Sequence, residues 1–91
     1  MFYLVSYDIP DDRRRDRVAR TLKRVAERVQ YSVFEAEMKP TDLQKLVRRL
    51  TRLVDESQDS VRIYAICAEC KPKVTIIGLG EVLEIPDLVI I

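Results

Sequence analysis

Apolar and polar positions along the chain follow two periods in turn, and each change of period marks a new element. Phe2 to Tyr7 runs through aromatic and β-branched residues and predicts a buried strand. Ile9-Pro10-Asp11-Asp12 ends it, because proline cannot donate to a central ladder and aspartate caps a helix start. From Arg13 to Val29 the apolar residues Val18, Leu22, Val25, Ala26 and Val29 recur at spacings of three and four, which predicts one helix with one apolar face. Gln30 to Met38 is β-rich around Tyr31, Val33 and Phe34, and holds either two short strands meeting at a bend or one kinked strand. Pro40-Thr41 opens a second helix. Thr41 and Gln44 have capping-box spacing there, and Leu43, Leu46, Val47, Leu50, Leu53 and Val54 repeat at helical period. After the polar loop Asp55 to Ser60, Val61 to Cys67 alternates as a strand. Val74 to Gly80 predicts a further strand ending in a glycine turn, and Glu81 to Ile91 is an apolar tail. Such a tail packs on its own sheet or completes a partner's, since an unpaired apolar edge invites association.

The element order predicts an α+β, ferredoxin-like βαββαβ sandwich, with two helices on one face of an antiparallel sheet. The other face is left to pair with a second copy or to bind RNA. At 91 residues the chain is expected to form one domain, residues 1–91, with residues 1–78 as its core and 79–91 as an appended segment. A domain of this size buries roughly 60–65% of its unfolded surface. Apolar residues make up 47% and charged residues 34%, the balance of a soluble globular protein. No stretch approaches the ~20 apolar residues of a membrane span, and the first residues do not read as a signal peptide. A cytoplasmic protein with no membrane association is expected.

Charge changes the picture more than composition does. Residues 1–54 carry 13 Lys and Arg against 8 Asp and Glu, whereas residues 55–91 carry 3 against 7. A net charge of +1 therefore hides a basic half suited to polyanions and an acidic half suited to basic surfaces. Arg13, Arg17, Arg20 and Arg24 fall on one face of the first helix at about 100° per residue, opposite its apolar stripe. Arg14, Arg15 and Arg28 thicken this cluster, and Lys45, Arg48, Arg49 and Arg52 add a second basic helix. The bland interpretation is a solvated helix face. The functional one is a pair of basic helices tracking a phosphate backbone without reading bases. Tyr7, Tyr31, Phe34 and Tyr64 are candidates to stack bases, or to pack a core or an interface.

The absence of histidine removes every Ser-His, Cys-His and histidine general-base mechanism from this chain. Nucleolytic chemistry must then use a carboxylate, a metal-bound water, arginine or tyrosine. Asp8, at the exit of the first strand, has two roles open to it: accepting amide hydrogen bonds from the Ile9–Asp12 turn, or binding Mg2+. Magnesium uses one or two protein carboxylates with waters, and a two-fold axis beside the strand end would supply a second Asp8. Cys67 and Cys70 form one Cys-x-x-Cys with no third cysteine and no histidine, too few ligands to close a zinc site within one chain. A redox pair is expected at a helix start after a strand, with a low-pKa thiol. Because this pair follows an apolar strand and meets Lys71-Pro72, it is expected to be a structural turn.

Tyr7-Asp8-Ile9, the Arg-rich helix and the run Arg28-Val29-Gln30-Tyr31-Ser32-Val33-Phe34-Glu35 together resemble the small CRISPR-associated spacer-acquisition protein family. Asp59-Ser60-Val61-Arg62-Ile63-Tyr64 followed by Cys67-x-x-Cys70 also resembles members of that family, and the likeness covers almost all of residues 2–78. The resemblance implies a ferredoxin-like homodimer whose C-terminal strand extends the partner's sheet. It implies Mg2+ held between two Asp8 carboxylates, and metal-dependent cleavage of single-stranded RNA or duplex DNA. It further implies a complex with the CRISPR integrase, in which the dimer bridges integrase dimers and grips a prespacer duplex. By motif position Tyr7 and Asp8 match the family's catalytic pair, and Arg15, Arg17, Arg28 and Phe34 match the rest of its functional set. The run Arg13-Arg14-Arg15 leaves open which arginine occupies the matched place. Three functions follow: a magnesium-dependent endonuclease, a non-catalytic DNA-binding scaffold, or a toxin-type RNA-cleaving protein of the same fold.

Overall fold

A computed structural model of the protein describes residues 1–81. In chain order these form β1 (Phe2–Asp8), α1 (Asp12–Lys23), β2 (Glu27–Gln30), β3 (Val33–Glu37), α2 (Pro40–Leu53) and β4 (Ser60–Ile66), with one 3-10 turn over Lys71–Lys73. This is the expected βαββαβ order. The sheet runs β2-β3-β1-β4, so β1 is interior and antiparallel to both neighbours. Val5 lies opposite Phe34 on β3 and Ile63 on β4, while Asp8 lies opposite Ser60.

Strand alternation divides the side chains between two faces. Val5 and Tyr7 meet Val18, Ala19 and Leu22 of α1, Phe34 of β3, and Leu46 and Leu50 of α2 in one buried cluster. Burying a residue such as Leu22, which is fully enclosed, stabilises the fold by about 1.5–3 kcal/mol. Tyr3 shares the face of Val5 and Tyr7 and is buried, whereas the alternate residues Phe2, Leu4, Ser6 and Asp8 face away from the helices. Beside them on β4 stand Ile66, Tyr64, Arg62 and Ser60. At one end of this open face the Lys71 ammonium sits 4.8 Å from the Phe2 ring centroid, and Lys71 also lies 4.0 Å from Glu37.

Three boundaries depart from the sequence pattern. First, α1 ends at Lys23 and not at Val29. The Val25 and Ala26 amides both donate to the Leu22 carbonyl, and Glu27–Gln30 then pairs with β3 as an edge strand. Val25 and Val29 continue the helical spacing, yet they are 51% and 39% exposed, so no buried face held the helix together there. The β-rich stretch Gln30 to Met38 therefore holds β3 and only the last residue of β2, which begins inside the segment expected to be helical; a turn at Tyr31-Ser32 joins the two strands, with a register irregularity between Arg28 and Gln30. Second, α2 starts at Pro40, preceded by Lys39 as an N-cap with no side-chain hydrogen bond. Thr41 lies inside the helix, so the capping box does not form; proline, with its fixed φ and no amide to satisfy, begins the helix instead. Third, Val74 to Gly80 is not a strand. Pro72 in the 3-10 turn redirects the chain, no described strand pairs with the segment, and Ile77 and Leu79 are fully exposed. Gly78 and Gly80 do take positive φ, +95° and +128°, as the expected glycine turn requires. The tail expected to complete a partner's sheet lies, beyond Glu81, outside the described residues.

Candidate nucleic-acid and metal site

The end of β1 places Asp8 on the open face of the sheet, away from both helices. Its side chain is exposed and makes no hydrogen bond or ion pair among the described residues. The role of bracing the following turn falls to Asp11, whose carboxylate accepts the Arg14 amide at 2.9 Å as the N-cap of α1. Asp8 therefore has both oxygens open, and Ser6 and Ser60 share its face. Hard oxygen donors of this kind suit a magnesium ion. No group of three or more His, Cys, Asp or Glu that could hold a metal ion converges among the described residues.

The three consecutive arginines are separated by what they touch. Arg14 turns inward: its Nε donates to Asp59 Oδ2 at 2.8 Å and its Nη2 to Asp59 Oδ1 at 3.1 Å, a two-pronged pair. The Asp59 side chain is fully enclosed and also accepts the Asp55 amide at 2.8 Å. The Arg14 guanidinium accordingly holds the Asp59 carboxyl below its ordinary range. Arg15 braces the loop after β1, donating to the Ile9 carbonyl at 3.0 Å and pairing with Asp12. Arg13 is exposed and makes no ion pair among the described residues. With Arg17, Arg20 and Arg24 it forms the outward face of α1, opposite the buried Val18, Ala19 and Leu22.

Tyr7, Arg28 and Phe34 come together at the β2 edge of the helix-covered face. The rings of Tyr7 and Phe34 stack with centroids 6.2 Å apart, and both are buried. The Arg28 guanidinium lies 5.2 Å from the Phe34 centroid and 5.8 Å from that of Tyr31, with a long 3.5 Å contact from Nη2 to the Tyr7 hydroxyl. Tyr7 and Phe34 thus offer no ring face to a base, whereas Tyr31 and Tyr64 are 75% and 49% exposed. Phe34→Leu is expected to cost about 1 kcal/mol of stability and to loosen Arg28, because the platform beneath the guanidinium disappears. A urea titration measures the first effect. Binding of the same variant to RNA, compared with Arg28→Gln, measures the second.

Asp8 and the α1 arginine face therefore point to opposite sides of the sheet. Spacing alone did not single out Asp59, because its partner stands 45 residues away and only the folded chain brings them together. The neighbours of Asp8 on the open face, Ser6, Ser60 and Arg62, were legible in principle from strand alternation once the register was known.

Comparison with known proteins settles what this arrangement belongs to. The family described as CRISPR associated protein Cas2 matches residues 1–74. The chain belongs to the Cas2 family. It is 44% identical over 81 residues to a protein of Chloroflexus aurantiacus named CRISPR-associated endoribonuclease Cas2 1, covering 88% of this chain and 87% of that protein. It is 43% identical over 86 residues to CRISPR-associated endonuclease Cas2 2 of Thermus thermophilus, covering 94% and 91%. Among solved structures, a chain of a partial Cas6-RT-Cas1–Cas2 complex superposes with a TM-score of 0.74 at 26% identity, covering 84% of this chain and 89% of that one. Cas2 membership places the protein in CRISPR adaptation, in agreement with the resemblance carried by Tyr7-Asp8-Ile9 and the Gln30–Phe34 run. No helix among the described residues is long and apolar enough to cross a membrane.

Proposed function

We propose that this Cas2-family chain acts as a homodimer that binds nucleic acid through its basic helix face and cleaves phosphodiesters with Mg2+ held between two Asp8 carboxylates. The observation that carries this is Asp8 itself, a carboxylate with no partner among the described residues, standing on a sheet face that a second copy can cover. Two relatives bear the names endoribonuclease and endonuclease, which supports hydrolytic chemistry on nucleic acid. Bound there, a magnesium ion supplies a polarised water and screens phosphate charge. Asp8 positions the ion on the open face, while the exposed arginines on the helix side draw the polyanion to the dimer by charge without reading its sequence and do not themselves hold the scissile phosphate.

The alternative, a dimeric scaffold that grips DNA for the CRISPR integrase, draws on a different observation. The α1 arginines lie on the face turned away from Asp8, so gripping needs nothing from the carboxylate. The Cas1–Cas2 composition of the structural neighbour supports an integrase partner. Spacer capture in the presence of the integrase separates the two roles. Under the nuclease role, Asp8→Ala loses capture and cleavage together; under the scaffold role it retains capture, and only removal of the arginines abolishes it.

Binding itself has a quantitative signature. Log K for duplex DNA is expected to fall linearly with log salt, at a slope of about 0.9 per phosphate neutralised. Replacing Arg17, Arg20 and Arg24 together by Gln should lower that slope by about 2–3, with little preference between sequences. A flat salt dependence of the wild-type protein contradicts the basic-face assignment.

A further inference from the structure

The Cys67-x-x-Cys70 turn takes no part in the proposed nucleic-acid chemistry, and its geometry is not that of an inert turn. The Cys70 amide donates to the Cys67 carbonyl at 2.9 Å, closing a β-turn directly after β4. The Lys71 amide donates to the same carbonyl at 3.0 Å, and Cys70 opens the 3-10 turn that follows. A closed β-turn holds its first and fourth Cα atoms within about 7 Å, and a disulfide spans Cα atoms about 4.4–6.8 Å apart. The two residues are thus held near bonding separation by the backbone. Both thiols are free and exposed.

The two sulfurs are also unequal. The neighbouring Cys70 thiol lowers the pKa of Cys67, and the same neighbour relation raises that of Cys70. Cys67 is thus the more acidic of the two thiols and the one suited to attack, with Cys70 beside it to resolve. The pair stands between a strand exit and a helical turn, the placement expected of a redox pair, on the scale of a single 3-10 turn.

We propose that Cys67 and Cys70 form a reversible dithiol–disulfide site that exchanges with oxidised low-molecular-weight thiols. The Cys67 thiolate attacks one sulfur of a disulfide RSSR, releasing one RS− and leaving a mixed disulfide on Cys67. Cys70 then loses its proton to solvent and attacks the Cys67 sulfur, releasing the second RS− and closing the intramolecular bond. Two cysteine thiols are oxidised and one RSSR is reduced to two thiols, so no other oxidant is needed. The closed ring pins the exit of β4, from which the chain continues to Lys71 on the Phe2 ring and then toward the C-terminal tail.

The test incubates the reduced full-length protein with glutathione disulfide without oxygen and reads intact mass over time. Wild type should lose two hydrogens with no lasting glutathione adduct, and dithiothreitol should restore them. Cys70→Ser should hold one glutathione on Cys67. Cys67→Ser should take up glutathione about tenfold more slowly, because Cys70 is the less acidic of the two thiols. Circular dichroism of both variants is expected to match wild type, since the turn is exposed. Adducts that persist on wild type, or equal reaction rates of the two single variants, overturn the proposal. Ring closure in folded protein no faster than in urea overturns it as well, since the turn would then contribute nothing.

Discussion

Asp8→Ala is expected to reduce Mg2+-dependent cleavage by about 100-fold or more, because losing a cation that stabilises transition-state charge forfeits several kcal/mol, each 1.4 kcal/mol being tenfold. The same substitution should leave the fold intact. Asp8 is exposed, and no described residue depends on its carboxylate, since Asp11 caps α1. A melting temperature within about 3 °C of wild type is the expected result. EDTA should reduce the wild-type rate to that of the variant and have no further effect on the variant. Equal cleavage by wild type and Asp8→Ala with Mg2+ present, or cleavage by the wild type that EDTA leaves undiminished, removes Asp8 and its cation from the chemistry. Binding to duplex DNA should be nearly unchanged, as the arginines that carry it lie on the other side of the sheet.

Arg14→Ala should have the opposite profile, with a large loss of stability and no direct role in binding nucleic acid. Removing the guanidinium strands the enclosed Asp59 carboxylate, and an uncompensated buried charge is among the costliest single changes. Thermal unfolding is expected on the order of 10 °C or more below wild type. The double variant Arg14→Ala/Asp59→Asn should recover most of the loss, because no buried charge remains and asparagine still accepts the Asp55 amide. The pH dependence follows from the direction of the Asp59 shift. Its folded-state pKa lies below the unfolded value, so the pair's contribution is fully present above the ordinary carboxylate range near pH 4. It is lost as the pH falls through the lower, folded-state pKa, when the unfolded chain binds the proton more readily. Wild type should therefore show a steep decline in stability below about pH 4 that the double variant lacks in part. An Arg14 variant as stable as wild type contradicts this assignment, and a binding defect in a fully folded Arg14 variant would return Arg14 to the nucleic-acid surface.

The elements legible in the sequence were those with a buried face. Val18 and Leu22 of α1, Leu46 and Leu50 of α2, and the alternating β1 each carry a period that burial enforces, and the βαββαβ order followed from them. The boundary of α1 was not legible, because Val25 and Val29 satisfy the helical period and the edge strand β2 alike, and neither is deeply buried. Val74 to Gly80 looks like a strand from composition, but a strand exists only by pairing, and no described strand accepts it. The site was partly legible. Asp8 and the outward arginines could be placed from strand end and helix period. Separating Arg14 from Arg13 and Arg15 needed the long-range contact to Asp59, which local pattern does not encode. Tyr7 and Phe34 carried the family resemblance, yet the fold buries both rings and leaves Arg28 as the accessible member of their cluster.

Calorimetric titration of the protein with Mg2+ or Mn2+ in the absence of nucleic acid tests the shared-carboxylate site most directly. One cation per two chains, absent in Asp8→Ala, is the result expected if facing Asp8 residues hold the ion. One cation per chain, or binding that survives Asp8→Ala, contradicts it.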